Sequence, residues 1–265
     1  MQKVLLNVFI TYSLSIGKML DLISFTSIII IFLSIFQTII GVGILVLGTP
    51  ILLLIGFEMV EVMMILLPLS IINSLINILY LKYSYKKIKV DNLLSNYFFL
   101  ICFPGVFFGL FFLKLFNEFI NFNLLVGLVI WIVLLLSYLH KNKDNKFLDK
   151  FKKGLIFLTG FVHGITNSGG TLLSILVIET YKKKVNYIRY QIIYFYLILA
   201  LFQYLSIIFI FDYNFLIKIN LDYLYCLVAG IIFGNLFSKT IKKNQLRNII
   251  FILAFLSSLF LLFQS

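Results

Sequence analysis

The sequence predicts an all-α integral membrane protein of about eight transmembrane segments, and three observations support that fold class. The chain has 265 residues, of which 62% are hydrophobic and 12% charged, whereas a soluble domain carries about 25% charged residues. Its mean hydropathy is +1.09. The apolar residues form continuous blocks rather than an alternating pattern, which favours helices over the strands of a membrane barrel. Lipid is therefore the solvent for most of this surface.

Eight apolar blocks follow one another along the chain. Six have the length of one crossing, because about 20 helical residues span the hydrocarbon core; they are 62–81, 93–113, 119–139, 190–211, 221–238 and 246–264. The other two, 22–57 and 154–178, are interrupted by glycine and polar residues. Irregular backbone at membrane depth persists only inside protein or beside a water-filled cavity. Each interruption therefore predicts a protected interior site.

The interruptions have distinct compositions. The first block is broken at Gly41-Val42-Gly43 and again at Gly48-Thr49-Pro50, and the second at the run 164–171. Proline suits the first turn of a helix, so Thr49 and Pro50 are expected to begin the second helix of a hairpin.

Charge favours a hairpin at each broken block. The loops 82–89, 141–153, 182–189 and 239–247 hold 18 of the 22 lysines and arginines. If each broken block turned back, all four loops would share one side, as the positive-inside rule requires. If each crossed once, the loops would be divided between both sides. This distribution predicts two re-entrant hairpins, each followed by three spans, and hence two inverted repeats. Every charged residue is assigned to a loop or a block end.

An internal repeat supports this division. Gln37 and His163 are 126 residues apart, as are Gly43 and Gly169, and Asn77 and Gln203. Two Gly-xxx-Gly pairs are 125 residues apart and are interpreted as helix-packing sites: Gly105 and Gly109, with Gly230 and Gly234. The predicted organisation is an N-terminal extension at 1–21, which we expect to be interfacial, a first repeat at 22–139, a basic cytoplasmic linker at 140–153 and a second repeat at 154–265.

The broken blocks carry the motifs of a known family. The stretch Gly160-Phe-Val-His-Gly-Ile-Thr-Asn-Ser-Gly-Gly-Thr171 resembles the second glycine-rich signature of the sulfite exporter TauE/SafE family, and Gly41-Val42-Gly43-Ile44-Leu45 followed by Pro50 resembles the first. The resemblance covers about residues 25–264. Isoleucine and leucine at 44 and 45 depart from the glycines usual there, and Asn167 and Thr171 stand where glycine is common in the second signature. The resemblance implies transport of small anions, sulfite and organosulfonates among them, without enzymatic chemistry.

The candidate substrate-binding residues follow from the hairpin prediction. A helix N-terminus inside the membrane offers free N–H groups and a partial positive charge, which bind oxyanions. We therefore expect both hairpin tips to meet and form one site. The candidates are Gly41, Gly43, Thr49, Asn77, His163, Asn167, Ser168, Gly169, Gly170, Thr171 and Gln203. Capping of the helix is the alternative role for Asn167, Ser168 and Thr171; interhelical hydrogen bonding is the alternative for Asn73, Asn77 and Gln203.

His163 is the only histidine inside an apolar block. A titratable group at that depth is a functional candidate, for anion binding or for coupling to a proton. A neutral histidine bonded between helices is the alternative.

Three classes of function remain open at this stage. The leading hypothesis is a secondary transporter, or permease, that moves a small anion across a bacterial-type plasma membrane by alternating access. A passive anion channel has the same architecture, and an intramembrane enzyme would need paired acid and base groups at depth. We predict no cofactor, no metal site and no nucleic-acid partner, because Cys102 and Cys226 lack metal spacing and the positive charge is explained by membrane orientation. Membrane lipid and a small anion are the expected partners.

Overall fold

All regular elements that the structure describes are helices. The structure is a computed structural model, and it describes residues 26–86, 88–116, 146–181, 184–211 and 221–263, together with scattered residues between 121 and 135. The N-terminal extension 1–21 and residues 140–145 of the linker lie outside this part. The side chains of 146–151 are outside it as well.

The helices that the structure describes end to end fall into two groups, one in each half of the chain. The first half contains α1 (Thr26–Ile40), α2 (Ile44–Ile55), α3 (Met59–Ser84) and α4 (Asn92–Phe116), and α4 includes a π-helical turn at Phe98–Cys102. The second half contains α5 (Lys146–Thr166), α6 (Gly169–Thr180), α7 (Val185–Phe211), α8 (Leu221–Ser238) and α9 (Lys243–Phe263). Since α5 begins at Lys146, part of the predicted linker is helical.

Five of these helices, α3, α4, α7, α8 and α9, are long and apolar enough to cross a membrane. They coincide with five of the six predicted spans, and the sixth, 119–139, lies largely outside the described residues, although those described between 124 and 135 are helical. Large apolar side chains face outward, among them Leu79, 67% exposed, and Phe209, 80% exposed. This distribution suits a lipid environment. The prediction of an all-helical, multi-pass membrane protein is confirmed.

The interruptions of the two broken blocks agree only in part with the prediction. The chain breaks after Ile40 and resumes as α2 at Ile44, as expected from the Gly-Val-Gly sequence, and the second block breaks at Asn167 and Ser168. The expected helix start at Thr49 and Pro50 is wrong, because Pro50 lies inside α2. A proline inside a helix removes one hydrogen bond, and membrane helices tolerate that loss where neighbouring helices surround them.

Glycines bring α4 and α5 into backbone contact. A Cβ added at Gly105 would lie 2.6 Å from the Phe157 carbonyl oxygen, and one at Gly109 would lie 2.3 Å from the Phe161 oxygen. The approach is mutual, because a Cβ at Gly160 would lie 2.2 Å from the Cys102 oxygen. A side chain at any of these positions would force the two helices apart.

The second Gly-xxx-Gly pair makes the corresponding contact between α8 and α1. A Cβ added at Gly230 would lie 2.7 Å from the Ile31 oxygen, and one at Gly234 would lie 3.0 Å from the Ile35 oxygen. The helix α4 therefore packs on the first helix of the second broken block, and α8 packs on the first helix of the first. Each half therefore provides the helix against which the broken block of the other half packs.

Most of the described basic residues lie at one end of the helices. The Gln191 amide donates to the Lys89 carbonyl oxygen at 2.8 Å, the Lys243 ammonium donates to the Tyr181 oxygen at 3.1 Å, and Arg247 pairs with Glu179 at 2.7 Å. These bonds join the loop before α4 to the start of α7, and the end of α6 and the loop that follows it to the start of α9. We name this region, residues 85–86, 88–91, 179–181, 184 and 239–247, the basic end.

Asp91 links two of these loops at the basic end. Its carboxylate accepts the Leu94 N–H at 3.0 Å, as the N-cap of α4, and the Tyr181 hydroxyl at 2.7 Å. Burial raises the pKa of the Asp91 carboxyl, but the hydrogen bonds together lower it by a larger amount. The pKa therefore lies below its usual range. The carboxylate therefore stays charged among the surrounding lysines.

Contacts at the other end join the start of α1 to the start of α8. The Thr26 and Tyr223 hydroxyls lie 3.0 Å apart, and the Lys114 ammonium donates to the Ile210 carbonyl oxygen at the end of α7. Thr26 also shares a small apolar cleft with Leu52 and Phe57, at the end of α2. The start of α1 and the end of α2 therefore lie together, away from the basic end.

We expect Gly160→Ala to destabilise the protein, because its Cβ would meet the Cys102 carbonyl oxygen of α4. Overpacking of this kind costs about 1–3 kcal/mol. Gly154→Ala is the matched control in the same helix, since nothing lies within 4 Å of a Cβ there. Thermal unfolding of the detergent-solubilised protein should show a lower melting temperature for Gly160→Ala alone. Equal melting temperatures for both variants would contradict the proposed backbone contact.

Candidate functional site

The two chain breaks begin in a similar way. Gly41 has φ 105° and Asn167 has φ 62°, both in the left-handed region. The Gly41 N–H donates to the Gln37 oxygen at 2.7 Å, and the Asn167 N–H donates to the His163 oxygen at 2.9 Å. Each member of the second pair is 126 residues after its counterpart, the spacing found in the sequence. Asparagine replaces glycine here because it tolerates the left-handed conformation better than most residues.

Protein side chains occupy the N-terminus of α2. The Ile44 N–H donates to the Gln37 side-chain oxygen at 3.1 Å, and the Leu45 N–H donates to the Tyr196 hydroxyl at 3.2 Å. The Gln37 amide in turn donates to the Ser70 carbonyl oxygen at 3.0 Å and lies 3.1 Å from its hydroxyl. Since the first N–H groups of a helix have no intrahelical partner, these contacts cap α2 from within the protein.

The N-terminus of α6 is arranged differently. Ser168, its N-cap residue, makes no side-chain hydrogen bond to the helix; its hydroxyl donates to the Thr166 oxygen at 3.3 Å. Thr171 bonds the Ser168 oxygen through both its N–H, at 3.1 Å, and its hydroxyl, at 2.7 Å. In the part of the chain that the structure describes, the N–H groups of Gly169 and Gly170 donate to no protein group. The start of α6 therefore presents two free donors.

His163 lies beside these donors. It is 0% exposed, and neither of its ring nitrogens has a hydrogen-bond partner among the described residues. A Cβ added at Gly169 would lie 2.5 Å from the His163 Cβ, and the His163 ring centroid is 6.0 Å from that of Tyr196. The Tyr196 ring in turn lies against Gly170. The imidazole is thus placed next to the first turn of α6, yet it does not cap that helix as Gln37 caps α2.

Asn167 connects the two broken blocks. Its amide nitrogen donates to the Thr49 hydroxyl at 2.8 Å, while its side-chain oxygen is buried without a partner among the described residues. A Cβ added at Gly170 would lie 3.1 Å from Val46. The first turn of α6 therefore contacts α2, and the structure places Thr49 beside Asn167 rather than at a helix start.

Asn77 and Gln203 occupy corresponding positions on α3 and α7. The Asn77 amide donates to the Thr38 hydroxyl at 3.1 Å, and the Gln203 amide donates to the His163 carbonyl oxygen at 2.9 Å. Each side chain thus holds the last turn of α1 or α5. Both side-chain oxygens are buried without a partner in the described part of the chain. Asn73 joins the first of these networks through the Ser34 hydroxyl, at 2.8 Å.

Three candidate glycines have a packing reason for lacking a side chain. A Cβ added at Gly41 would lie 2.7 Å from the Ile192 side chain. One added at Gly43 would lie 2.8 Å from the Gln37 backbone nitrogen, and one added at Gly169 would lie 2.3 Å from the Thr159 carbonyl oxygen. These glycines let the helix ends pack against α1, α5 and α7.

Sequence reasoning missed two residues of this region. Tyr196 is one of 15 tyrosines, and only its spacing of 126 residues from Ser70 could have indicated a role. Arg189 was assigned to the basic loop 182–189, which is wrong: α7 begins at Val185, and Arg189 is 2% exposed. A five-residue offset between the predicted helix start at 190 and the observed start at Val185 decides whether this side chain faces water or protein.

Comparison with known proteins gives one match. The family described as sulfite exporter TauE/SafE matches residues 26–261. No curated protein matches the chain, and no solved structure does. The matched range includes every described helix of both broken blocks and both Gly-xxx-Gly pairs. Because the match covers nearly the whole chain, this membrane protein belongs to the sulfite exporter TauE/SafE family.

Proposed function

We propose that this protein is a secondary transporter that carries a small anion, such as sulfite or an organosulfonate, across the plasma membrane of a bacterial-type cell. Its family supports membrane transport of sulfite or related anions. The observation that carries the proposal is the buried start of α6, where the free N–H groups of Gly169 and Gly170 lie beside the unpartnered His163.

The chemistry of this region suits an anion. A helix N-terminus carries about half a positive charge and presents N–H groups to a ligand. The start of α2 is capped by Gln37 and Tyr196. The start of α6 is therefore the one whose backbone N–H groups are free to bind a ligand. We therefore assign the anion to the first turn of α6, with Asn167, Ser168 and Thr171 around it and the Tyr196 ring beside Gly170.

We further propose that the two halves are inverted repeats. The start of α1 and the end of α2 lie together at one end of the bundle, whereas Lys152 and Lys153 of α5 lie near Asp91 and Tyr97, at the basic end with Glu179 of α6. Both observations support hairpins that enter from opposite faces. Alternating access then arises when one hairpin and its supporting helix move relative to the other.

Labelling with a membrane-impermeant maleimide tests this topology. In a protein lacking Cys102 and Cys226, single cysteines replace Lys86 and Lys242 at the basic end, or Glu58 and Leu221 at the other end. All four side chains are exposed. We expect intact cells to label Glu58→Cys and Leu221→Cys, and lysed cells to label all four. Labelling of Lys86→Cys and Lys242→Cys from opposite sides would show that α5 and α6 cross together instead of returning.

A passive channel and an enzyme are the competing functions. A channel would pass anions without saturation, so only flux kinetics separates it from a carrier. An enzyme would need an acid and base pair or metal ligands at depth. The described residues contain no group of three or more histidine, cysteine or acidic residues that could hold a metal, and His163 has no carboxylate partner within them.

Uptake by proteoliposomes tests the proposed function. We expect saturable, gradient-dependent uptake of sulfite or another of the anions thiosulfate, sulfate, ethanesulfonate and acetate. The same anion should raise the melting temperature of the purified protein, because a ligand that binds only the folded state stabilises it. Unsaturable flux would indicate a channel, and failure of every anion in both assays would contradict the proposal.

Asn167→Asp tests the site in the same assays. Aspartate has the same shape as asparagine and also tolerates a positive φ, but it adds a negative charge beside the first turn of α6. We expect at least a tenfold rise in the half-saturating anion concentration. Asn244→Asp, at an exposed position of α9, makes the same change of net charge and should have no effect. An unchanged KM in a folded Asn167→Asp variant would place the site elsewhere.

His163→Gln tests coupling to a proton. Histidine is the side chain whose charge ordinarily changes between about pH 5 and 8, whereas glutamine does not titrate and occupies the corresponding position in the first half. We expect the variant to fold, with its amide within reach of the start of α6, and to lose the pH dependence of uptake. If the variant retains the wild-type pH profile, His163 does not carry the proton.

A further inference from the structure

Arg189 is a buried cation without a carboxylate partner among the described residues. It is the fifth residue of α7 and is 2% exposed. One terminal guanidinium nitrogen donates to the Thr38 carbonyl oxygen at 2.5 Å, and Nε has no partner among the described residues. The ion pair found within those residues joins Arg247 to Glu179 instead. The acidic side chains that the structure describes therefore leave Arg189 uncompensated.

The contacts of Arg189 offset only part of the free-energy cost of burying its charge. Removing a guanidinium from water costs free energy unless the group is paired and fully hydrogen-bonded. The Thr38 carbonyl lies near the C-terminal end of α1, where the helix dipole is negative, so it offsets part of that cost. The remaining donor at Nε is directed into protein, not solvent. Charged groups placed in this way inside membrane proteins mark pathways for ions and substrates.

The position of Arg189 relates it to the proposed anion site. Arg189, Tyr196 and Gln203 are spaced by seven residues and lie on one face of α7, about 10 Å apart at each step. Between the first two, Ile192 contacts Gly41 at the break of the first block. Tyr196 reaches the starts of α2 and α6, and Gln203 reaches His163. Arg189 is the member of this row that is nearest to the basic end.

We infer that Arg189 forms a second anion-binding position, on the basic-end side of the chain breaks. This inference rests on the proposed function, because it concerns the same transported anion. The anion would occupy the free Nε side of the guanidinium, near the last turn of α1 and Asn77, before or after it occupies the start of α6. The side-chain oxygen of Asn77, buried and unpartnered among the described residues, could accept a proton-bearing oxygen of the same ligand.

Arginine suits this position better than lysine. The planar guanidinium presents several donors in a fixed fork, so it can hold the Thr38 carbonyl and an oxyanion at once. A lysine ammonium is a compact point charge and lacks that geometry. Arg189 therefore combines two tasks, fixing the end of α1 and binding the anion, and a test must separate them.

The test compares Arg189→Gln and Arg189→Lys with Arg247→Gln. Each variant is reconstituted in proteoliposomes, and the uptake of external sulfite, sulfate and ethanesulfonate is measured. The melting temperature without anion reports the structural task, and the KM of uptake reports the binding task. We expect Arg189→Gln to raise KM at least tenfold and Arg189→Lys to raise it by less. Arg247→Gln, which removes a cation already paired with Glu179, should leave KM unchanged.

The outcomes distinguish this inference from the proposed function. If the wild type transports an anion and a folded Arg189 variant keeps the wild-type KM, the inference is wrong while the function stands, whether or not the melting temperature falls. If the wild type neither transports nor is stabilised by any probe, the proposed function itself fails. Should Arg189→Gln not fold, the Arg189→Lys variant decides, because it retains the positive charge and a donor for Thr38.

Discussion

The structure depends on the need of buried backbone groups for hydrogen-bond partners. Helices that end inside an apolar environment leave N–H and C=O groups that water cannot reach. At α2 the protein itself meets this need, through Gln37 and Tyr196. At α6 it does not, because His163 occupies the place of Gln37 without forming the equivalent bond. Two otherwise corresponding helix starts therefore differ: the start of α2 is capped by protein side chains, and the start of α6 is the one that we propose binds the anion.

Glycine packing allows both helix starts to be buried in the first place. The contacts of α4 with α5 and of α8 with α1 place each broken block against a helix from the other half. Such close approach depends on the absence of side chains, since lipid provides no hydrophobic drive for helices to associate. In the proposed alternating access, the same contacts would have to be kept or exchanged. Under that proposal, the Gly-xxx-Gly surfaces would serve both transport and stability.

Most of the described cations lie at the basic end, but one of them reaches the interior. Lysines and the Arg247–Glu179 pair gather at the basic end, where water and lipid headgroups can solvate them. Two described cations depart from this pattern: Lys114 lies at the other end, and Arg189 extends from the start of α7 to the end of α1. Together with the start of α6, it gives the interior two positively polarised positions on either side of the first chain break. An anion moving along α7 would meet both.

The sequence alone determined the membrane class, the break at residues 41–43, the break near 167 and the spacing of 126 residues, because composition and periodicity are local properties that lipid constrains strongly. It could not determine where α2 begins, since Pro50 is tolerated inside a helix that other helices surround. It also placed Arg189 in a loop, because the side chain's burial depends on contacts with Thr38, 151 residues away. Whether the buried donors of α2 and α6 are capped was likewise decided only by tertiary structure, through contacts such as that of Tyr196 with Leu45, which no local pattern encodes.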